Sequence, residues 1–221
     1  MTARISFTAG VLALGLLLAG CESLPRTDSA QTGPFFTPTN VRGVERLSSS
    51  VRRIAILPAA GLPTVPEDIV GRLDDAFYSE LNRTARAETV SVSRDVLARL
   101  TGSRQLNSTA ALPHDLLAKL KGSTRADAVL FVDMTAHSAY PPLVLGIRAK
   151  LIDLTSGDIL WAFDNLFDAN ESSVANAARR HFLSTNSSPA GSGNLSAAVL
   201  QNPTRFGAYV AAATFATLPP R

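Results

Sequence analysis

The chain carries one thiol, Cys21, and three imidazoles, His114, His137 and His181. These side chains suit nucleophilic and acid–base chemistry near neutral pH. The histidines fall in different segments, and no two share a ligand-like spacing. No CxxC or HExxH motif occurs, so neither a zinc site nor a redox pair is indicated. No serine occupies a Gly-x-Ser-x-Gly elbow. Gly191-Ser192-Gly193 echoes a phosphate loop, but it follows no strand pattern and lacks a lysine, so it reads as a connector. Asp74 and Asp75 are neighbours on a predicted helix and point in different directions, as on a solvated face. Asp133, Asp153 and Asp164 lie on predicted strands. Asp153 flanks a turn and suits a capping role. Asp133 sits mid-strand, where Arg148 or Lys150 could pair with it. These residues define no catalytic set, no metal site and no cofactor site.

A different constellation joins charge to aromatic area: Arg148, Lys150, Trp161 and Phe163. It depends on a predicted hairpin in which Thr155-Ser156-Gly157-Asp158 turns the chain. Pairing Leu154 with Ile159 sets Ile152 opposite Trp161 and Lys150 opposite Phe163. On the other face Leu151 meets Ala162 and Ala149 meets Asp164. Leu143, Leu145, Ile147, Ala149 and Leu151 then form an apolar face for helices to cover. The four residues form the candidate partner-binding face. Basic stems alternating with aromatics suit contact with a protein, an acidic glycan or lipid headgroups. They equally suit a second core face with basic stems reaching to solvent.

The elements that place these residues begin with an export signal. Arg4 supplies a positive start, and Ile5 to Leu18 is apolar but shorter than the roughly 20 residues of a membrane span. Small residues Ala19 and Gly20 precede Cys21. The string Leu18-Ala19-Gly20-Cys21 resembles the lipobox of bacterial lipoproteins. That resemblance implies cleavage before Cys21, diacylation of its thiol and acylation of the new amino group. Two or more acyl chains hold a protein stably on a membrane. Glu22 is not the aspartate that retains lipoproteins in the inner membrane of enteric-type bacteria. The outer membrane, facing the periplasm, is therefore the expected location. Removing residues 1–20 removes Arg4 and no acid, so the net charge falls from +3 to +2. So small a charge does not indicate a nucleic-acid partner. With its one cysteine lipidated, the chain has no intrachain disulfide to stabilise it.

Residues 21–50 read as the lipidated cysteine and a Ser/Thr/Pro/Gly-rich flexible linker. Phe35-Phe36 interrupts it, either as incidental apolar residues or as a docking spot. Residues 51–221 read as a single periplasmic domain. Arg53 to Pro58 is a buried strand. A helix follows, with Thr64 and Glu67 at capping-box spacing and Ile69, Leu73, Ala76, Phe77 and Leu81 on one face. Ala87 to Ser91 is a second strand. Ser93 caps a helix carrying Val96, Leu97 and Leu100, and a further helix runs from Pro113 to Gly122. Three extended segments follow, at 128–140, 143–154 and 159–164. Glu171 to Phe182 and Asn202-Pro203 onward are helical, separated by a polar loop from Ser184 to Asn194.

Three segments carry a wider resemblance: Arg53 to Pro58 just after a lipoprotein linker, Ala126 to Val132, and Lys150 to Trp161. They are similar to the periplasmic lipoprotein domains grouped with the curli secretion protein CsgG, LpoB and the N-terminal domain of TolB. The resemblance spans residues 51–168 and implies an α/β (α+β) fold, a mixed sheet ending in an antiparallel meander with helices packed on it. No pair of long alternating strands lies outside the core to build a membrane pore.

The functional expectation is a non-enzymatic, lipid-anchored envelope lipoprotein. It would act as a binding or adaptor module in envelope assembly, secretion or cell-wall synthesis. Its partners would be the membrane, through the anchor, and an envelope protein or a second copy. A structural subunit of an oligomeric envelope complex is the alternative, and an enzyme acting on envelope polymers stands third.

Overall fold

The computed structural model describes residues 29–185 and 198–221. The predicted signal peptide, the Cys21 lipidation site and most of the 184–194 loop lie outside the described residues. The helices are α1 (Ser29–Thr32), α2 (Glu67–Arg83), α3 (Arg94–Thr101), α4 (Leu116–Thr124), α5 (Ser172–Thr185) and α6 (Pro203–Phe215). The strands are β1 (Val41–Gly43), β2 (Arg53–Ile56), β3 (Glu88–Ser91), β4 (Ala128–Ser138), β5 (Val144–Asp153) and β6 (Ile159–Asp168). They form one sheet in the order β1-β6-β5-β4-β2-β3. β2 runs parallel to β3 and β4, while β4, β5, β6 and β1 pair antiparallel. The expected mixed sheet with its meander is present. No helix among the described residues is long and apolar enough to cross a membrane.

Local sequence explains the helix ends. Ser93 Oγ accepts from the Val96 amide, and Asn202 Oδ1 accepts from the Arg205 amide. Both caps match the residue types that favour them. The Thr64 capping box does not form. Pro66 instead occupies the N-cap of α2 without a side-chain bond. That helix buries Val70, Leu73, Phe77 and Leu81, spaced as one face of a helix requires.

The sheet has two covered surfaces. On the first, β5 and β6 present Leu145, Ile147, Ala149, Leu151, Trp161, Phe163 and Phe167 to α2, α5 and α6. On the second, Ala55, Leu57, Val129, Phe131 and Ile152 pack beneath α3 and α4.

Two parts of the chain differ from the sequence reading. Residues 29–50 are not a free linker along their whole length. Val41–Gly43 forms an edge strand on β6, and Leu47 is buried in the main core. Phe36 packs on Phe167 at 5.1 Å between ring centroids, and Arg180 sits over the Phe35 ring. The aromatic pair therefore belongs to the domain's own packing.

The β5–β6 register also departs from expectation by one residue. Lys150 lies opposite Ala162, Leu151 opposite Trp161 and Ala149 opposite Phe163. The turn is the cause. Leu154 leaves the hairpin to donate its amide to the Asp127 carbonyl. Asp153 Oδ1 accepts the amides of Thr155 and Ser156, and Gly157 takes φ +79°. Ile152 then pairs with Ile159, and the pairing jumps to Leu151–Trp161, leaving Leu160 as the extra residue of a bulge. A one-residue slip sends every side chain to the opposite face. Trp161 and Phe163 therefore join the first core.

Candidate functional site

The predicted constellation divides between the two faces. Trp161 and Phe163 are 0% and 1% exposed and pack tilted against each other, ring centroids 5.8 Å apart, in the aromatic core. Arg148 and Lys150 point to the second face, where α3 and α4 cover β2 and β4 but not the full width of β5 and β6. The structure thus brings the two cations together and removes the two aromatics from them.

Pairs across β5 and β6 place Gly146 beside Leu166, Arg148 beside Asp164 and Lys150 beside Ala162 on that second face. Arg148 Nε donates to Asp164 Oδ2 at 2.8 Å, and its Nη2 lies 2.7 Å from the same oxygen. Lys150 Nζ donates to the Ser108 carbonyl at 3.0 Å. Neither cation projects freely. Around them lies an open strip. Leu166 is 54% exposed, Ile159 is 55% exposed, and Arg42 stands exposed on β1 opposite Ala162. Gly146 is needed beside Leu166 because β4 bulges there. A Cβ at 146 would sit 2.8 Å from the Ala136 amide nitrogen.

The inner border of the strip is a polar staple. Asp133 is fully buried opposite Arg148. Its carboxylate accepts the Ser108 amide at 3.0 Å and the Ser108 hydroxyl at 2.5 Å. Burial pushes the Asp133 carboxyl above its usual range. The Ser108 bonds, Arg148 and Lys150 pull in the opposite direction. The arrangement ties the 102–115 connection to the sheet. It fits structural pairing rather than proton transfer.

The remaining titratable candidates occupy separate places. Asp74 is half-buried rather than solvated. It accepts the Ala59 amide at 2.7 Å and pairs with Arg94 at 2.7 Å, and burial raises its carboxyl. His137 lines a cavity of about 80 Å³ with Met134, Leu143, Leu145 and Phe206, and burial depresses its pKa. His181 packs against the Tyr209 ring at 6.0 Å, and burial, with the nearby Arg83 charge second, lowers its pKa. Among the described residues no group of three His, Cys, Asp or Glu side chains could hold a metal ion.

The sequence reading missed the Arg148–Asp164 pair because its register set Asp164 on the other face, and it missed Leu166 because it ended the strand at Asp164, whereas β6 runs on to Asp168. One signal could have found them. Trp161, Phe163 and Phe167 alternate with smaller or polar residues, and the largest side chains belong with the continuous apolar face of β5. That match favours the observed register.

No family of known proteins matches the chain. No curated protein matches it. Among solved structures it is similar to the PelC dodecamer from Paraburkholderia phytofirmans, with 13% identity, a TM-score of 0.45, and coverage of 82% of this chain and 98% of that one. It is similar to lipoprotein GNA1162 from Neisseria meningitidis, with 20% identity, a TM-score of 0.41, and coverage of 67% and 95%. A third similar structure is the LpoB C-terminal domain from Salmonella enterica, with 11% identity, a TM-score of 0.38, and coverage of 53% and 83%.

Proposed function

We propose that this chain is a lipid-anchored binding module of a bacterial envelope, and that the open strip of β5–β6 receives an envelope protein. The observation that carries this reading is the strip itself. A sheet otherwise covered by helices leaves Leu166 and Ile159 in solvent, bordered by Arg42 and the Arg148–Asp164 pair. Exposed apolar side chains with a polar rim are the usual composition of a protein contact. Support for the anchor comes from the signal-like N-terminus and the Leu18-Ala19-Gly20-Cys21 string, with Cys21 carrying the acyl chains in the outer membrane. On this reading the protein works by binding and positioning, without catalysis.

Leu166→Glu is the direct test. The side chain makes no polar bond, so the change introduces charge into the strip without breaking the staple. Crosslinked pull-down of the full chain from envelopes should recover a partner with the wild type and lose it with Leu166→Glu. Equal recovery from both would overturn this assignment. Recovery of only a second copy would select the alternative, a structural subunit of an oligomeric complex. Charge reversal at Arg148 is a poor test. A glutamate there would face Asp164 and buried Asp133, and would damage the fold.

A further inference from the structure

We propose that the α1–α5 side of the domain lies against the anchoring membrane, with Arg179, Arg180 and Arg205 among the phosphates of anionic lipid headgroups. The proposal rests on the reading of Cys21 as the acylated residue, and it adds which side of the domain faces the lipid.

The tether is short. Ala30 of α1 is buried, and α1 packs against α5. The Phe36 amide donates to the Ser173 carbonyl at 3.0 Å, and Asn176 Nδ2 donates to the Pro34 carbonyl at 3.2 Å. The packed chain therefore starts on α5, and Ser29 stands eight positions after Cys21. Eight residues reach at most about 29 Å when fully extended. An anchor at Cys21 thus keeps α1 and α5 close to the bilayer, whereas a free linker to residue 50 would let any side face it.

Charge completes the surface. From Ser172 to Arg221 the chain has four arginines and no aspartate or glutamate. At about 100° per residue, Phe182, Arg179, Leu183 and Arg180 follow one another around about 160° of α5. Arg205 closes one end of this arc, its guanidinium 5.0 Å from the Phe182 ring centroid. Phe35 closes the other, its ring centroid 4.5 Å from the Arg180 guanidinium. Cation–π contact holds both groups in place.

The arginines are available to phosphate. Arg180 and Arg205 are exposed and Arg179 is half-buried. None of the three joins an ion pair among the described residues. The acids nearest in sequence, Asp168 and Glu171, precede the far end of α5, and Glu80 on α2 is already paired with Arg83. Guanidinium groups bind phosphate through paired donors, and an anionic bilayer attracts them within about 10 Å. Because α5 covers the face of the sheet opposite the open strip, this contact turns Leu166 away from the membrane, toward a partner.

The test uses the full chain purified from bacterial membranes and reconstituted in vesicles of equal parts phosphatidylcholine and phosphatidylglycerol. A dye is attached through Leu183→Cys or Leu166→Cys, and lipid spin-labelled on its headgroup quenches it. Quenching should be severalfold stronger at position 183 than at position 166. Replacing all three arginines with Gln should bring position 183 down toward position 166, since each contributes about fivefold to attraction toward an anionic surface. Salt at about 0.5 M should act the same way. Circular dichroism verifies the fold of each variant. Equal quenching at the two positions, stronger quenching at 166, or a folded triple variant quenched as the parent is would each overturn the proposal. Intact mass separates it from the anchor. Acyl mass on Cys21 with equal quenching overturns the orientation alone, whereas a chain without acyl mass overturns the anchor and the orientation with it.

Discussion

The two faces of one sheet are stabilised by different means. The first face is an aromatic interior. Trp161, Phe163 and Phe167 run along β6, with centroids 5.8 and 6.3 Å apart in succession. Phe77 meets Phe215 edge-on at 5.5 Å, and Tyr209 meets Phe167 at 5.8 Å. Each such ring contributes on the order of 2–3 kcal/mol through buried area. The second face has a smaller aliphatic cluster under two short helices, completed by charge pairs and by the Asp133–Ser108 bonds. Its order rests on satisfied polar groups. Apolar burial packs β5 and β6 beneath helices on the first face, whereas the second stops at the last satisfied pair and leaves a strip in solvent. That strip is where a partner has room.

This contrast predicts unequal responses to mutation. Phe163→Ala removes a ring from the first face and should destabilise the protein by about 3–5 kcal/mol, read as a fall in the denaturant midpoint. A loss under about 1 kcal/mol would mean that the aromatic stack is not the main stabilising surface. Asp133→Ala strands the Ser108 amide and hydroxyl, and should cost about 2–3 kcal/mol. It should also make the 102–115 connection a site of early proteolytic cleavage.

The Asp133 carboxyl also sets a pH dependence. Its folded pKa lies above the unfolded value of about 3.9. Between those two values the folded state holds a proton that the unfolded state has released. The Asp133 contribution to stability therefore falls as pH rises through that window and is constant above it. Asp133→Asn should flatten the slope in urea unfolding measured across the window, with the Asp74 share remaining. An unchanged slope would contradict the burial argument.

Smaller effects complete the contrast. Tyr209 has a buried hydroxyl without a hydrogen-bond partner among the described residues, and burial pushes its pKa up. Tyr209→Phe removes that uncompensated group and should raise stability by up to about 1 kcal/mol. A loss in thermal midpoint would reveal an acceptor for the hydroxyl. On the open strip, Leu166→Glu should change stability by no more than about 0.5 kcal/mol.

Much of the architecture was legible because strong local signals agree. The alternation of Leu145, Ile147, Ala149 and Leu151 identified the buried face of β5. Ser93 and Asn202 marked helix starts that the structure retains. What the sequence concealed was non-local. β1 has only three residues and gains its partner from β6, more than a hundred positions away. The register turned on a bulge at Leu160, which no residue type announces. It also turned on the Leu154 amide, which the distant Asp127 carbonyl captures. One residue of slip exchanged Trp161 and Phe163 for Asp164 and Leu166, and so changed which face the candidate site uses.

The most direct test places a photo-crosslinking residue at one position of the full-length, Cys21-bearing chain in living bacteria. Position 166 samples the open strip, and position 78, at exposed Tyr78 on α2, samples the helical side. Adducts should form from position 166 and not from position 78. Adducts from position 78, with none from position 166, would contradict the assignment of the open strip as the docking surface.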